Sequence, residues 1–342
     1  MKAWVVGEPG GPAGLRLVDH PEPVCSAGHV VVAVDAVSLN YRDLLVAAGA
    51  YNRGVPPVGV VPCSDAAGVV VAVSSDVASV AVGDRVMSAF APDWRGGSLS
   101  RAALRTTLGS GSPAAIGVLA ERIALPERAV VRLPGGLTTA DACTLPCAGL
   151  TAWHALFEES PVGNGSSVLT IGAGGVSTFA VQMAAAAGAR VIATSSTTAR
   201  LERLAALGAA AGINYRDVPA WGERARELSD GEGVDLVVEV GGAGTFDESC
   251  RAVRPGGTVA LVGTLAGPAP VNLTPVLLRN IRIQGTMVGS REMCERMVSA
   301  VHTWHLEPVI DRVYAFEDAP RAFERLESGL HFGKVVIATS GH

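Results

Sequence analysis

The sequence predicts an α/β chain built from two architectures, a compact mostly-β domain and a doubly wound parallel sheet. Three observations predict it. Residues 167–196, SVLTIGAGGVSTFAVQMAAAAGARVIATSS, read as strand, glycine turn, helix and strand, which is one βαβ unit. Residues 1–150 instead carry short β-type runs separated by Gly, Pro, Asp and Ser. At 342 residues the chain exceeds one ordinary core, so two domains are expected.

In chain order, the β-type runs are 2–6, 15–18, 29–36, 67–73 and 84–89, broken by Pro21-Glu22-Pro23 and Val82-Gly83-Asp84. From 167 onward strands alternate with helices. The strands are 168–171, 191–194, 212–215, 234–240, 258–263 and 281–288, enough for a complete doubly wound sheet. Helices over 291–304 and 318–328 and a strand over 334–338 form a tail. We expect it to return to the β domain, which would then comprise 1–150 and 289–342 around a nucleotide-binding domain of 151–288. Residues 95–112, rich in Gly, Ser and Arg, are the expected mobile loop.

Apolar residues at 49% and charged residues at 17% suit a well-buried globular enzyme. A net charge of −5 argues against a nucleic-acid partner. Met1 to Gly11 lacks the pattern of a signal peptide, and no apolar run reaches membrane length, so no membrane association is expected. Six scattered cysteines without a C-x-x-C pair suit reduced thiols in a cytoplasm.

The glycine turn points to a dinucleotide. Gly172 permits the tight turn, and Gly174, lacking a Cβ, lets backbone approach phosphates. The helix opening at Gly175 and Val176 aims unpaired N–H groups at a diphosphate. The third fingerprint position is Ser177, so helix and strand should sit slightly further apart there. No Asp or Glu follows the second strand to hold a ribose 2′-hydroxyl. Ser195, Ser196 and Arg200 stand there instead, and two hydroxyls with a guanidinium suit a 2′-phosphate. The bland alternative is that Arg200 opens the next helix as a solvated cation. NADPH is expected over NADH.

Several further stretches carry a resemblance over nearly the whole chain. They are Val37-Ser38-Leu39-Asn40-Tyr41-Arg42-Asp43, Leu145-Pro146-Cys147-Ala148-Gly149-Leu150-Thr151-Ala152-Trp153, Ile213-Asn214-Tyr215-Arg216, Arg254-Pro255-Gly256-Gly257 and His331-Phe332-Gly333-Lys334-Val335-Val336. Together with the GAGGVS turn, in this order, they resemble the medium-chain dehydrogenase/reductase superfamily, in its zinc-independent quinone-oxidoreductase-like branch. The resemblance implies a GroES-like β domain and a Rossmann domain.

In zinc-dependent relatives a Cys, a His and a second Cys hold the catalytic ion, with a Glu after the His. Here Asn40 stands at the first Cys, Ser64 at the His and Asp65 at the Glu, leaving Cys147 alone. That set does not supply the soft or borderline tetrahedron zinc wants. The structural zinc lobe is missing too, since residues 90–123 contain no cysteine. Recruitment of Cys63 and His154 would require the ligand vectors to move. No metal is expected.

The candidate catalytic residues are Asn40, as an amide donor, and Tyr51 and Tyr41, as proton sources; each tyrosine is equally readable as a core residue. Arg42 and Asp43 are read as pairing with each other or bracing the domain. By resemblance, Thr151 lies beside the nicotinamide and Tyr215 near the adenosine phosphate. Val262, Gly263 and Val288 close later strands at the ligand-binding edge, and Lys334 reaches the cofactor side or caps the fold. The sequence thus points to a zinc-independent NADPH oxidoreductase acting on a small-molecule substrate, a quinone or an activated enone, as a homodimer. A zinc-free alcohol dehydrogenase or carbonyl reductase, an enoyl-thioester reductase, and a binding protein without turnover remain alternatives.

Overall fold

The computed structural model describes residues 1–8, 10–51, 58–112 and 115–339. Residues 52–57, in the 51–61 stretch whose loop is expected from the sequence to help shape a substrate pocket, lie outside them. The chain forms two compact units, Met1–Leu150 with Gly289–His342, and Thr151–Val288.

The first unit opens with β1 (Lys2–Val6) paired antiparallel to β2 (Leu15–Asp19). Then come β3 (His29–Ser38), β4 (Asp65–Val73), β5 (Arg85–Ser88), β6 (Arg122–Pro126) and β7 (Val130–Arg132). β3 reads HVVVAVDAVS and is the hub, because its valines find neighbours on both edges. Register shifts at Val31/Val32 and Val34/Ala36 bend it against β4, which gives the sheet its curvature. β6 and β7 are too short and too charged at their ends to show as periodic runs in the sequence.

The second unit contains β8 (Ser167–Ile171), β9 (Arg190–Ser195), β10 (Ala211–Asn214), β11 (Val234–Glu239), β12 (Val253–Leu261) and β13 (Arg282–Gly285). All pair parallel, in the order β10-β9-β8-β11-β12-β13. The first strand therefore lies mid-sheet and the chain winds outward twice. Right-handed crossovers then place helices on both faces. The helix Gly175–Ala186 is buried from Ser177 to Ala184, which explains its weak amphipathic pattern. Two strands differ from expectation. β12 begins at Val253 because that residue pairs with Val234 before a bulge at Arg254-Pro255-Gly256-Gly257. β13 ends at Gly285, after which Thr286 N donates to the Leu261 carbonyl and the chain turns away.

The tail supplies β14 (Ile310–Ala315) and β15 (Lys334–Ala338) to the first unit. Its large sheet runs β14-β15-β3-β4-β5-β7, with β6 also on β3. β14 escaped the sequence reading because Asp311 and Arg312 interrupt its apolar pattern. The core under this sheet includes Val32, Val37, Leu125, Phe323 and Val335. Residues 95–112 carry a short helix, Arg101–Arg105, and Arg291 N and Glu292 N donate to the Trp94 and Arg95 carbonyls.

Candidate active site

In the first unit the chemistry collects around the N-terminus of the helix Tyr41–Ala47. Asn40 is its N-cap, and its backbone N–H donates to Asp43 Oδ2 at 2.8 Å. That bond fixes the Asn40 backbone at the mouth of the helix. The Asn40 side chain is held from across the sheet, where Lys334 Nζ donates to Asn40 Oδ1 at 2.5 Å and to the Leu39 carbonyl at 2.6 Å. Asn40 Nδ2 is buried on the side of Asp65 and closes no hydrogen bond of normal geometry.

Asp65 heads β4. Its Oδ1 accepts from Ser64 Oγ at 2.6 Å, and its Oδ2 accepts from Cys147 N at 3.0 Å. Burial raises its pKa, opposed first by Lys334 and then by the Ser64 hydroxyl. Cys147 lies in the π-helical turn Leu145–Gly149, and burial pushes its thiol up to about 12, with Asp65 adding to the rise. The thiols of Cys63 and Cys143 are raised by burial too. Cys63 takes the left-handed conformation at φ 70°, and its carbonyl abuts Gly109, where a Cβ would come within 2.1 Å.

Arg42 stacks between two rings, its Cζ 4.8 Å from the Tyr51 centroid and 4.6 Å from the Phe90 centroid. Its Nη1 donates to the Leu108 carbonyl at 2.7 Å, so it braces helix against loop. Arg42 Nε and Nη2 and Asp43 Oδ1 are buried without partners. The cluster holds two cations and two carboxyls, and buried charges persist only when balanced in this way. Tyr51 is half-buried against Arg42, while Tyr41 is 48% exposed at the start of the helix. Lys334, expected either on the cofactor side or as a cap of the fold, directs its ammonium to Leu39 and Asn40.

The residues at the three expected zinc positions do not form a zinc donor set. The amide oxygen is held by Lys334 and the Ser64 hydroxyl by Asp65, which leaves Cys147 as the one soft ligand of the three. His154 Nδ1 is 3.0 Å from the Val288 carbonyl and donates to it.

In the second unit, Gly172 turns at φ 77°, a conformation that disfavours any residue with a side chain. Gly174 is the N-cap of the next helix, and Gly175 and Val176 open it. Ser177 Oγ donates to the Ile171 carbonyl at 2.7 Å, so the third fingerprint position ties helix to strand by a hydrogen bond. At the end of β9, Thr194 Oγ1 and Ser195 Oγ are buried without partners. Ser196 is half-buried beyond them, and Arg200 lies in the first turn of the helix Thr198–Ala206, capped by Thr197. Tyr215 N donates to the Ser195 carbonyl at 3.1 Å, which brings Tyr215 beside the end of β9. Val262 N and Gly263 N both donate to the Glu239 carbonyl. Thr151 is buried in the helix Leu150–Trp153, and Val288 adopts φ 38°. Glycine turn, unpartnered hydroxyls and Arg200 thus gather at the C-terminal ends of β8 and β9, where parallel sheets bind nucleotides.

The family of alcohol dehydrogenase GroES-like domains matches residues 26–135, and that of zinc-binding dehydrogenases matches 175–303. A zinc-type alcohol dehydrogenase-like protein of Schizosaccharomyces pombe is 39% identical over 91% of this chain and 90% of its own length. The chain belongs to the medium-chain dehydrogenase/reductase superfamily, in its quinone-oxidoreductase-like branch. It is an oxidoreductase. Another member, the 2-methylene-furan-3-one reductase of Solanum lycopersicum, is 31% identical over 98% of this chain and 79% of its own. A mycobacterial member solved with NADPH has a TM-score of 0.82 and 29% identity, over 99% of this chain and 100% of that one.

Sequence reasoning missed the partners of the singled-out residues. Phe90 and the Leu108 carbonyl were invisible as the seat of Arg42, and Lys334, read as reaching the cofactor side or capping the fold, was not foreseen as the partner of Asn40. A signal existed: a lysine heading a strand as apolar as Lys334–Ala338 must be paired if it is buried.

Proposed function

We propose that the protein is an NADPH-dependent reductase that passes hydride to a quinone or an activated enone without a metal. One observation carries the reading: Asn40, standing where metal-dependent relatives have their first cysteine, is tied by Oδ1 to a buried ammonium and keeps Nδ2 as a buried donor that, with Asp65 on its side, closes no hydrogen bond of normal geometry. Without a Lewis acid, the favoured acceptors are those whose negative charge delocalises into an enolate or hydroquinone oxygen. Such substrates need positioning, a hydrogen-bond donor for that oxygen, and a proton source. Asn40 supplies the donor, and the half-buried Tyr51 is the candidate proton source, with exposed Tyr41 second. The tomato relative's name describes an enone substrate, which supports the same class.

Gly172, Gly174, Gly175 and Val176 would hold the diphosphate, and Ser195, Ser196 and Arg200 the 2′-phosphate, with Thr151, Tyr215, Val262, Gly263 and Val288 lining the rest. The NADPH-bound mycobacterial relative supports this assignment. When bound, the cofactor supplies the hydride. Six free thiols support a reducing, cytoplasmic setting. Among the described residues no helix is long and apolar enough to cross a membrane. A homodimer is supported by β13, which among the described residues ends its sheet, and by the exposed Leu277 and Leu278 just before it in the chain.

The test is NADPH oxidation with a panel of quinones, enones, enoyl thioesters and aldehydes. Turnover confined to quinones or enones is the expected result. Preference for thioesters or aldehydes would move the protein to another substrate class, and tight NADPH binding without turnover would refute the enzymatic reading.

A further inference from the structure

Lys334 begins β15 and is 3% exposed, on a strand otherwise made of apolar residues. A buried ammonium stays charged only where oxygens replace its water. Two do so here, the Leu39 carbonyl and Asn40 Oδ1. Asp65, fully buried, feels Lys334 as the largest influence opposing its desolvation, and it also draws on the Asn40 amide. We propose that Lys334 and Asp65 are positioning residues that lock the Asn40 amide in one orientation, so that Nδ2 presents an N–H to the substrate oxygen on which negative charge develops. The proposal rests on the reductase reading above and deepens it.

The oxygen and nitrogen of an asparagine side chain are nearly the same size, so a half-turn about the last bond exchanges donor for acceptor. An ammonium has only donors, so the atom facing Lys334 must be the oxygen. A carboxylate has only acceptors, so Asp65 favours the nitrogen on its side. Both neighbours select the same orientation, and they reach Asn40 from β15 and β4, two elements far from it in sequence. Nδ2 is nevertheless left without a hydrogen bond of normal geometry. Buried donors in folded proteins are nearly always satisfied, and one held open beside a charged cluster is poised for a ligand. A hydrogen bond from Lys334 onto the amide oxygen also draws electrons from the amide and strengthens its N–H as a donor. Held this way, the donor needs no reorganisation when charge appears on the substrate.

Lys334→Met keeps the stem and removes the ammonium. We expect kcat to fall on the order of 10- to 100-fold with NADPH affinity within about twofold of the parent, the pattern of a lost transition-state contact. Asn40→Ala should show a similar fall, and adding Lys334→Met to it should cost nothing more, since one acts through the other. Losses that multiply would overturn the proposal, as would Lys334→Met weakening NADPH binding as much as it lowers kcat. A second readout requires no turnover. The Asn40 side-chain amide pair, assigned in a ¹⁵N-correlation spectrum by its disappearance in Asn40→Ala, should move in both Lys334→Met and Asp65→Asn. An unmoved pair in either variant sinks the inference. Failure of the parent protein to reduce any quinone or enone would sink only the function proposed above.

Discussion

Asp43 carries the most legible pH signature among single residues. Burial lifts its carboxyl to about 7 against the opposing pull of Arg42, and Asp65 adds to the rise. The folded chain therefore keeps a proton that the unfolded chain releases near pH 4. Stability from this group is fully present below about pH 4 and is lost as pH rises through about 7. Urea unfolding of the parent should show stability falling from pH 5 to pH 8, while Asp43→Asn should flatten that slope. Parallel slopes would contradict the buried-carboxyl assignment. Arg200 gives a second test at this scale. Arg200→Ala should weaken NADPH by roughly 10-fold or more while changing NADH little, since a charge-assisted bond to phosphate is lost. Equal losses for both cofactors, by fluorescence titration, would remove the 2′-phosphate assignment. Residue types at these positions were readable in the sequence, but their partners were not. Asn40 and Lys334 are 294 positions apart, and only the pairing of β15 with β3 brings them together.

Among the elements, the helix Arg291–Thr303 shows how local chemistry decides a boundary. Ser290 is buried, and its Oγ accepts from Met293 N at 3.2 Å, so it satisfies an otherwise open donor. Ser290→Ala should cost about 1 kcal/mol in denaturant unfolding, with no change in helix content of the folded state. A cost near zero would show the cap to be redundant with packing. The sequence announced this helix, the six parallel strands and the hub strand β3, because each has a strong period or a glycine stop. It was silent on β6, β7 and β14. Those strands are short or carry charges on their solvent faces, and their partners rather than their own composition make them strands. The bulge at the start of β12 was equally hidden, since Pro255-Gly256-Gly257 reads as a turn when the pairing of Val253 is unknown.

For the whole molecule, a doubly wound parallel sheet was legible in the sequence, and the order of its strands follows from rules of chain connection. Assembly is the next property at this scale. The short helix Thr274–Leu278, just before β13 in the chain, leaves Leu277 at 80% and Leu278 at 76% exposure, and among the described residues β13 ends its sheet. Sedimentation should find a dimer, and Leu277→Glu with Leu278→Glu should yield a folded monomer. A monomeric parent would refute the proposed dimer. The proposed chemistry is hydride transfer to a conjugated acceptor, with the Asn40 amide, held by the Lys334 ammonium, standing where zinc-dependent relatives have their first cysteine. The most direct measurement is NADPH oxidation by chelator-treated protein with an α,β-unsaturated ketone, read alongside its metal content. The account predicts undiminished turnover by protein holding far less than one zinc per chain. Turnover that vanishes on chelation and returns with stoichiometric zinc would contradict it.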